Sequence, residues 1–150
     1  MIYYDGSVYC GLWKKGEMHG HGHMDYSDGS TYSGDWVNGQ RHGHGDEEWP
    51  DGSLYSGDYV YSSKTGKGRF FWFDGRTYEG QFIDGKLEGH GEFKWIDGKK
   101  YLGQWMNNKM HGHGVFTWSD GRRYVGEYRN DLKDGWGIYI SNGKKYEGNW

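Results

Sequence analysis

Tyr-x-Gly recurs seven times along this 150-residue chain, at Tyr9, Tyr32, Tyr55, Tyr78, Tyr101, Tyr124 and Tyr146, with spacings of 23 residues five times and then 22. A fixed period of that length marks a repeat architecture, in which each copy is one supersecondary unit that buries its apolar face against its neighbours. With each tyrosine counted as slot 0, slot 4 is aromatic in every copy: Trp13, Trp36, Tyr59, Phe82, Trp105, Tyr128 and Trp150. Glycine holds slots 11 and 13 in all six complete units, from Gly20 and Gly22 to Gly135 and Gly137. Asp-Gly stands three to four residues before each tyrosine, with Asn142-Gly143 in the last copy.

These slots, slots 2 and 7, and the Asp-Gly turns account for all 29 glycines, so the glycine is architectural and not a low-complexity linker. Disordered segments are poor in aromatics, whereas this chain carries 9 Trp, 14 Tyr and 6 Phe. Leu, Ile and Val are scarce, so rings must supply most of the buried apolar area. The net charge of −3, with acids and bases interspersed, gives no field that favours nucleic acid or an anionic membrane. Cys10 is the only cysteine, which excludes an intrachain disulfide and suits a reducing, cytosolic setting. No apolar run approaches the roughly 20 residues of a transmembrane helix, and no signal peptide is visible.

Each unit reads as a β-hairpin. Slots 0, 2 and 4 place rings around a glycine notch on one face of a first strand. Slots 6 and 7, as in Asn38-Gly39, have type I′ turn chemistry, and slots 11, 13, 15 and 17 form the second strand. A two-residue turn there pairs slots whose numbers sum to 13, setting the slot-0 tyrosine opposite glycine 13 and glycine 2 opposite glycine 11. Each ring then lies over bare backbone, an aromatic rescue of strand glycine. An odd period needs an odd second link to keep all rings on one face, which a three-residue Asp-Gly-x turn with a G1 bulge supplies. The 22-residue spacing is therefore expected to disturb the sheet near Ile140–Asn142, where the slot-17 tryptophan is also lost. The expected architecture is all-β: one elongated, twisted antiparallel meander of roughly 13 strands, about 4.8 Å apart.

The pattern Tyr-x-Gly-x-Trp-x-x-Gly-x-x-His-Gly-x-Gly, then an aromatic pair and Asp-Gly, closely resembles the MORN repeat (membrane occupation and recognition nexus). Asp28 to Gly45, D-G-S-T-Y-S-G-D-W-V-N-G-Q-R-H-G-H-G, matches almost every defining position. The resemblance covers essentially the whole chain as a single array over 1–150. Its six complete repeats start near 9, 32, 55, 78, 101 and 124, and partial repeats stand at both ends. It implies hairpins stacked into an extended grooved sheet. It also implies protein association or self-assembly, with a cytoplasmic, cytoskeletal or ciliary (radial-spoke, axonemal) home. Lipid binding is a disputed family property.

The candidate partner-binding residues are the slot-0 and slot-4 rings Tyr9, Trp13, Tyr32, Trp36, Tyr55, Tyr59, Tyr78, Phe82, Tyr101, Trp105, Tyr124 and Tyr128. A row of Trp and Tyr suits hot spots for a helix or an extended peptide. The competing reading is that every ring is consumed in packing over glycine. All eight histidines cluster at or near slots 10 and 12. His-x-His could face a metal, but no cysteine or patterned carboxylate completes a ligand set, so no metal, cofactor or catalytic residue is assigned. Ser62–Gly68 mimics a phosphate loop but lacks the glycine before Lys64, and a strand rather than a helix should follow it. The Asp-Gly carboxylates are explained by turn chemistry. Two departures stand out: Tyr61-Ser62 at the third turn, and Asp46-Glu47-Glu48 where slot 15 should be a ring, followed by Pro50.

Three readings result. The first is a non-catalytic scaffold holding a protein segment on its aromatic face. The second is a phosphoinositide-binding adaptor using Lys99-Lys100, Arg122-Arg123 and Lys144-Lys145. The third is the regulatory part of a larger enzyme. Both chain ends fall inside repeats and should form open β-edges. The chain is therefore expected either to be a fragment of a longer array or to dock its ends on partners or on another copy, an edge-joined homodimer being the simplest self-association.

Overall fold

The computed structural model describes residues 1–150. The first strands are β1 (Val8–Lys14), β2 (Glu17–Asp25), β3 (Thr31–Val37), β4 (Gln40–Glu48), β5 (Leu54–Val60), β6 (Ser63–Phe71) and β7 (Thr77–Ile83). They are followed by β8 (Lys86–Lys94), β9 (Lys100–Met106), β10 (Lys109–Thr117), β11 (Arg123–Arg129), β12 (Leu132–Ser141) and β13 (Lys144–Asn149). All thirteen lie in sequence order in one open antiparallel meander sheet, as the repeat pattern implied. Tertiary contacts divide the chain into two compact units, Met1–Phe73 with Ile83–Gly85, and Asp74–Phe82 with Lys86–Trp150. No helix is long and apolar enough to cross a membrane.

The turns at slots 6 and 7 are type I′, with both central residues at positive φ: Asn38 at 48° and Gly39 at 79°, and even Tyr61 at 43° and Ser62 at 70°. Pairing next to the turn follows the expected register, Trp36 with Arg41 and Val37 with Gln40. Past slot 3 it does not. Gly34 pairs with Gly45 and Tyr32 with Glu47, so slot 2 meets slot 13 and slot 0 meets slot 15. The expected pairs, tyrosine with glycine 13 and glycine 2 with glycine 11, are thus corrected.

The cause is a bulge that sets three residues, slots 10 to 12, against the single slot-3 residue. Its centre is the slot-11 glycine, held at φ between 68° (Gly89) and 118° (Gly66), where an L side chain is strained. The ladder loses one amide and one carbonyl there, and side chains replace both. Asp35 accepts the His44 amide at 3.2 Å, and Gln81 and Gln104 accept the His90 and His113 amides at 2.8 Å each. The slot-0 tyrosine hydroxyl donates to the slot-3 carbonyl, from Tyr9 to Leu12 at 2.8 Å through Tyr124 to Glu127 at 3.3 Å.

The second link is a three-residue turn with a G1 bulge, framed x-Asp-Gly instead of Asp-Gly-x. The Tyr26 amide donates to Ser30 at 2.9 Å, and the Gly29 amide donates to Tyr26 at 3.0 Å. Asp28 accepts the Ser30 amide at 2.8 Å, the Asx contact that makes aspartate the natural residue there. Pro50 stands where a type I turn prefers proline, after Trp49 and before Asp51-Gly52.

The shortened final spacing does not disturb the sheet. Asn142 (φ 50°) and Gly143 (φ 75°) form a two-residue type I′ turn. Tyr139 still pairs with Tyr146, and Gly137 with Gly148. Removing one residue exchanges the G1-bulge turn for a tight turn and leaves both faces unchanged.

Candidate functional site

In the first unit a transverse row of paired glycines crosses the sheet: Gly11–Gly22–Gly34–Gly45–Gly57–Gly68. The slot-0 rings lie on this row, so a Cβ at Gly45 would stand against the Tyr32 ring. The rescue of glycine by tyrosine therefore holds, with slots 2 and 13 as the covered pair. Slot-0 and slot-4 rings then interlock edge to face. The centroids lie 5.0 Å apart for Tyr9–Trp13, 5.5 Å for Tyr9–Trp36, 5.0 Å for Tyr32–Trp36 and 5.2 Å for Tyr32–Tyr59. The second unit repeats the zipper from Tyr78–Phe82 at 5.1 Å to Tyr124–Trp150 at 5.2 Å. The Trp36 and Trp105 indoles donate to the Gly22 and Gly91 carbonyls at 3.1 Å.

Packing uses up most of the rings singled out from sequence. Tyr9, Tyr32, Trp36, Tyr55, Tyr59, Tyr78, Phe82, Tyr101, Trp105, Tyr124 and Tyr128 are all buried, whereas Trp13 is 43% exposed. They form a buried floor. The half-exposed rings on this face are those of slot 17 and, apart from the buried Phe93, those of slot 15. In the first unit Trp49 stacks on Phe70 at 5.4 Å and Phe70 packs on Trp72 at 4.5 Å, with Tyr26 one repeat earlier. In the second unit Phe93–Trp95 (4.6 Å), Trp95–Phe116 (5.4 Å), Phe116–Trp118 (4.7 Å) and Trp118–Tyr139 (5.9 Å) form one continuous row. The sequence holds the signal for this row, an aromatic pair two residues apart before each Asp-Gly.

Slot 9 brings charge to the same face. Arg41 lies 2.9 Å and Lys64 3.5 Å from the buried Glu47 carboxylate, to which the Tyr59 hydroxyl also donates at 2.6 Å. Burial first, and then the hydrogen bond to Glu47, pushes the Tyr59 hydroxyl far above the ordinary tyrosine range. Glu47, singled out in sequence as a missing ring, is thus an interior counter-ion. The cations it neutralises were legible only as charges at a slot that elsewhere holds Met18, Leu87 and Met110.

The histidines have structural work. His42 Nδ1 accepts the Tyr61 turn amide at 3.1 Å, as Thr65 does for Asp84 and Glu88 for Asn107, both at 3.0 Å. Slot 10 therefore serves the next hairpin's turn in these three units, whereas the buried Nδ1 atoms of His19 and His111 have no hydrogen-bond partner. The slot-12 rings lie across from slot-3 carboxylates, His113 at 3.3 Å from Glu127 and His21 at 3.9 Å from Asp35. No three potential ligands converge as a metal site would require. Gly66 in the phosphate-loop look-alike is a bulge glycine, and Ser63–Phe71 is the strand β6.

The MORN repeat profile matches six successive segments of the chain, residues 9–31, 32–54, 55–75, 78–100, 101–122 and 124–144. The chain belongs to the MORN repeat family. No curated protein matches this MORN array by sequence. Among solved structures it is similar to the SAS-4 (dCPAP) TCP domain of Drosophila melanogaster, in complex with a proline-rich motif of Ana2 (dSTIL). The TM-score is 0.61 at 14% identity, covering 99% of this chain and 81% of that one. The TCP10 domain of Danio rerio CPAP, in complex with a peptide of Danio rerio STIL, matches at 16% identity over 97% of this chain and 75% of that one. At a TM-score of 0.34 that second likeness carries no argument. At such identities the first likeness concerns the fold alone.

Proposed function

We propose that this MORN array is a non-catalytic scaffold whose ligand is an extended, proline-rich peptide laid across the slot-17 rings. One observation carries the reading: within each unit, half-exposed rings recur once per hairpin along one face, on a floor of buried rings. Two strand spacings separate them, about 9.6 Å. A polyproline II helix repeats every three residues, about 9.3 Å, so every third side chain meets the next ring. An extended strand turns every third residue away. Two turns of an α-helix advance about 10.8 Å and overshoot by about 1 Å per ring. Aromatic-lined grooves recognise the polyproline conformation because it costs little entropy to fix. The similar TCP-domain fold was solved with a proline-rich motif bound, which agrees with this reading.

The slot-0 and slot-4 rings hold the row in place, and Trp13 adds an exposed ring against Tyr9. A cytoplasmic, cytoskeletal setting is proposed on family grounds, and association through a β-edge, as in an edge-to-edge dimer, is compatible with a face left free for peptide.

The test is to pan a Pro-x-x-Pro peptide library on the intact chain and measure selected peptides by fluorescence anisotropy. Trp95→Ala and Trp118→Ala should each weaken binding by about tenfold or more, as buried aromatic hot spots do. Failure to select any peptide, or selected peptides indifferent to both substitutions, would rule out this function.

A further inference from the structure

Lys64 and Lys133 occupy slot 9 of two different repeats, in cages built from the same slots. Lys64 Nζ stands 4.9 Å from the Trp49 ring centroid and 5.5 Å from that of Tyr55. Lys133 Nζ stands 5.3 Å from Trp118 and 4.8 Å from Tyr124. Trp49 and Trp118 are both slot 17 of the preceding repeat, and Tyr55 and Tyr124 are both slot 0 of the same repeat. Slot 4 also agrees, since Tyr59 and Tyr128 are the only tyrosines found there.

The anion differs, and so does its second cation, because Met110 stands where Arg41 lies 2.9 Å from Glu47. In the first cage Glu47 lies 3.5 Å from Lys64 and accepts the Tyr59 hydroxyl at 2.6 Å. Phe116 fills the matching slot before Lys133, and Tyr139 fills slot 15 of its own strand. Both routes by which a slot-15 carboxylate reaches a slot-9 cation are therefore taken by rings. Lys133 has no ion-pair partner, and the Tyr128 hydroxyl has no hydrogen-bond partner, so a cation and a donor are both left unmatched. A cleft of about 490 Å³ opens onto Phe116, Trp118, Tyr128 and Lys133. Asp131 at its rim is engaged by the Met110 amide at 2.8 Å. A neighbouring cavity of about 650 Å³ adds Lys144, a second lysine without a carboxylate partner.

We propose that the Lys133 cage receives a side-chain carboxylate from the bound peptide, which supplies in trans what Glu47 supplies in cis. This rests on the peptide-scaffold reading and assigns one end of the ligand an Asp or Glu. The occupant is a peptide side chain because the cation lies between rings, in a cleft whose walls continue the slot-15 and slot-17 row. A carboxylate there would take Lys133 as its cation and the Tyr128 hydroxyl as its donor, with Trp118 alongside. These two groups are the counterparts of Lys64 and Tyr59 at the Glu47 site, with Met110 in the place of Arg41.

The experiment compares a labelled Pro-Pro-Glu repeat peptide with its Pro-Pro-Gln analogue by fluorescence anisotropy on the intact chain. The Glu peptide should bind about tenfold more tightly, the value of a hydrogen-bonded charge pair. That preference should vanish in Lys133→Met, a residue native to slot 9 as Met18 and Met110, and shrink in Tyr128→Phe, matched at slot 4 by Phe82. Phe116→Glu, which writes a slot-15 carboxylate into the second cage, should remove it as well. Equal affinity for Glu and Gln peptides in the unmodified chain would overturn the carboxylate while leaving the peptide scaffold standing. Binding of neither would overturn both. Lys133-dependent sedimentation with vesicles of phosphatidylcholine and phosphatidylserine, together with equal peptide affinities, would reassign the cage to a lipid headgroup and overturn the proposal.

Discussion

The Tyr101 hydroxyl donates a hydrogen bond of 3.0 Å to the carbonyl of Gln104, three residues along its own strand. That carbonyl belongs to the residue opposite the bulge, where no ladder partner exists. The same bond forms in all six complete copies, which explains why their slot 0 is tyrosine and not phenylalanine. Tyr101→Phe keeps the ring and strands the carbonyl, so a loss of about 1–2 kcal/mol in urea unfolding is expected. An unchanged midpoint would mean that water satisfies the carbonyl equally well.

Gly45 lies directly beneath the Tyr32 ring. Gly45→Ala forces the ring or the backbone aside and should cost about 1–3 kcal/mol, as overpacking does elsewhere. Gly148 offers the control, because a Cβ there meets nothing within 4 Å. Gly148→Ala should leave the thermal midpoint near its starting value, and equal losses at both positions would contradict the covering role given to the ring.

Tyr61 and Ser62 sit at φ 43° and 70°, a conformation that costs an ordinary L residue about 1–2 kcal/mol. The double change Tyr61→Asn with Ser62→Gly restores the favoured type I′ pair. It should stabilise the hairpin even though the 4.4 Å contact between the His42 and Tyr61 rings is lost. Differential scanning calorimetry reads the sign directly, and a fall in Tm would show that the His42 contact outweighs the turn strain.

Burial raises the hydroxyl pKa of Tyr32, Tyr55, Tyr78, Tyr101 and Tyr128 above the ordinary value of 10.0. A raised native value means that the unfolded chain ionises first. The stabilisation is fully present below the unfolded pKa and is lost as pH rises past about 10. The turn aspartates act with the opposite sign. The hydrogen bonds from Ser30 hold Asp28, and those from Arg122 hold Asp120, below the usual carboxylate range. That contribution is present above the unfolded pKa and fades as acid is added. Urea midpoints measured across alkaline pH should therefore fall steadily while those near neutrality stay flat. A flat alkaline limb would contradict the burial of these hydroxyls.

Much of the hairpin architecture is legible in sequence because it is carried by local chemistry. Asn38-Gly39 announces its turn type, Asp28-Gly29 its bulged turn, and the shared parity of slots 0, 2 and 4 their common face. The bulge at slots 10 to 12 is not legible by parity, since adding two residues leaves every side chain on its original face. Its traces are the slot-11 glycine and the Asp or Gln at slot 3, whose purpose appears only once the freed amide is located. Parity likewise predicts disruption at Ile140–Asn142, but the turn sheds one residue without moving the register. The candidate site was half legible. Composition pointed to rings, but burial decides which of them a partner can touch, and burial depends on cross-strand neighbours that one strand's pattern does not reveal.

The indole signals of the 9 tryptophans, followed by ¹H–¹⁵N correlation during titration with a selected Pro-x-x-Pro peptide, test the scaffold most directly. Trp49, Trp72, Trp95 and Trp118 should shift. Trp36 and Trp105, buried with their indole N–H groups on backbone carbonyls, should stay in place, as should Trp136, whose slot-12 position puts it on the opposite face. Movement of Trp136 with a silent slot-17 row, or no movement of any indole at saturating peptide, would contradict a peptide held on that row.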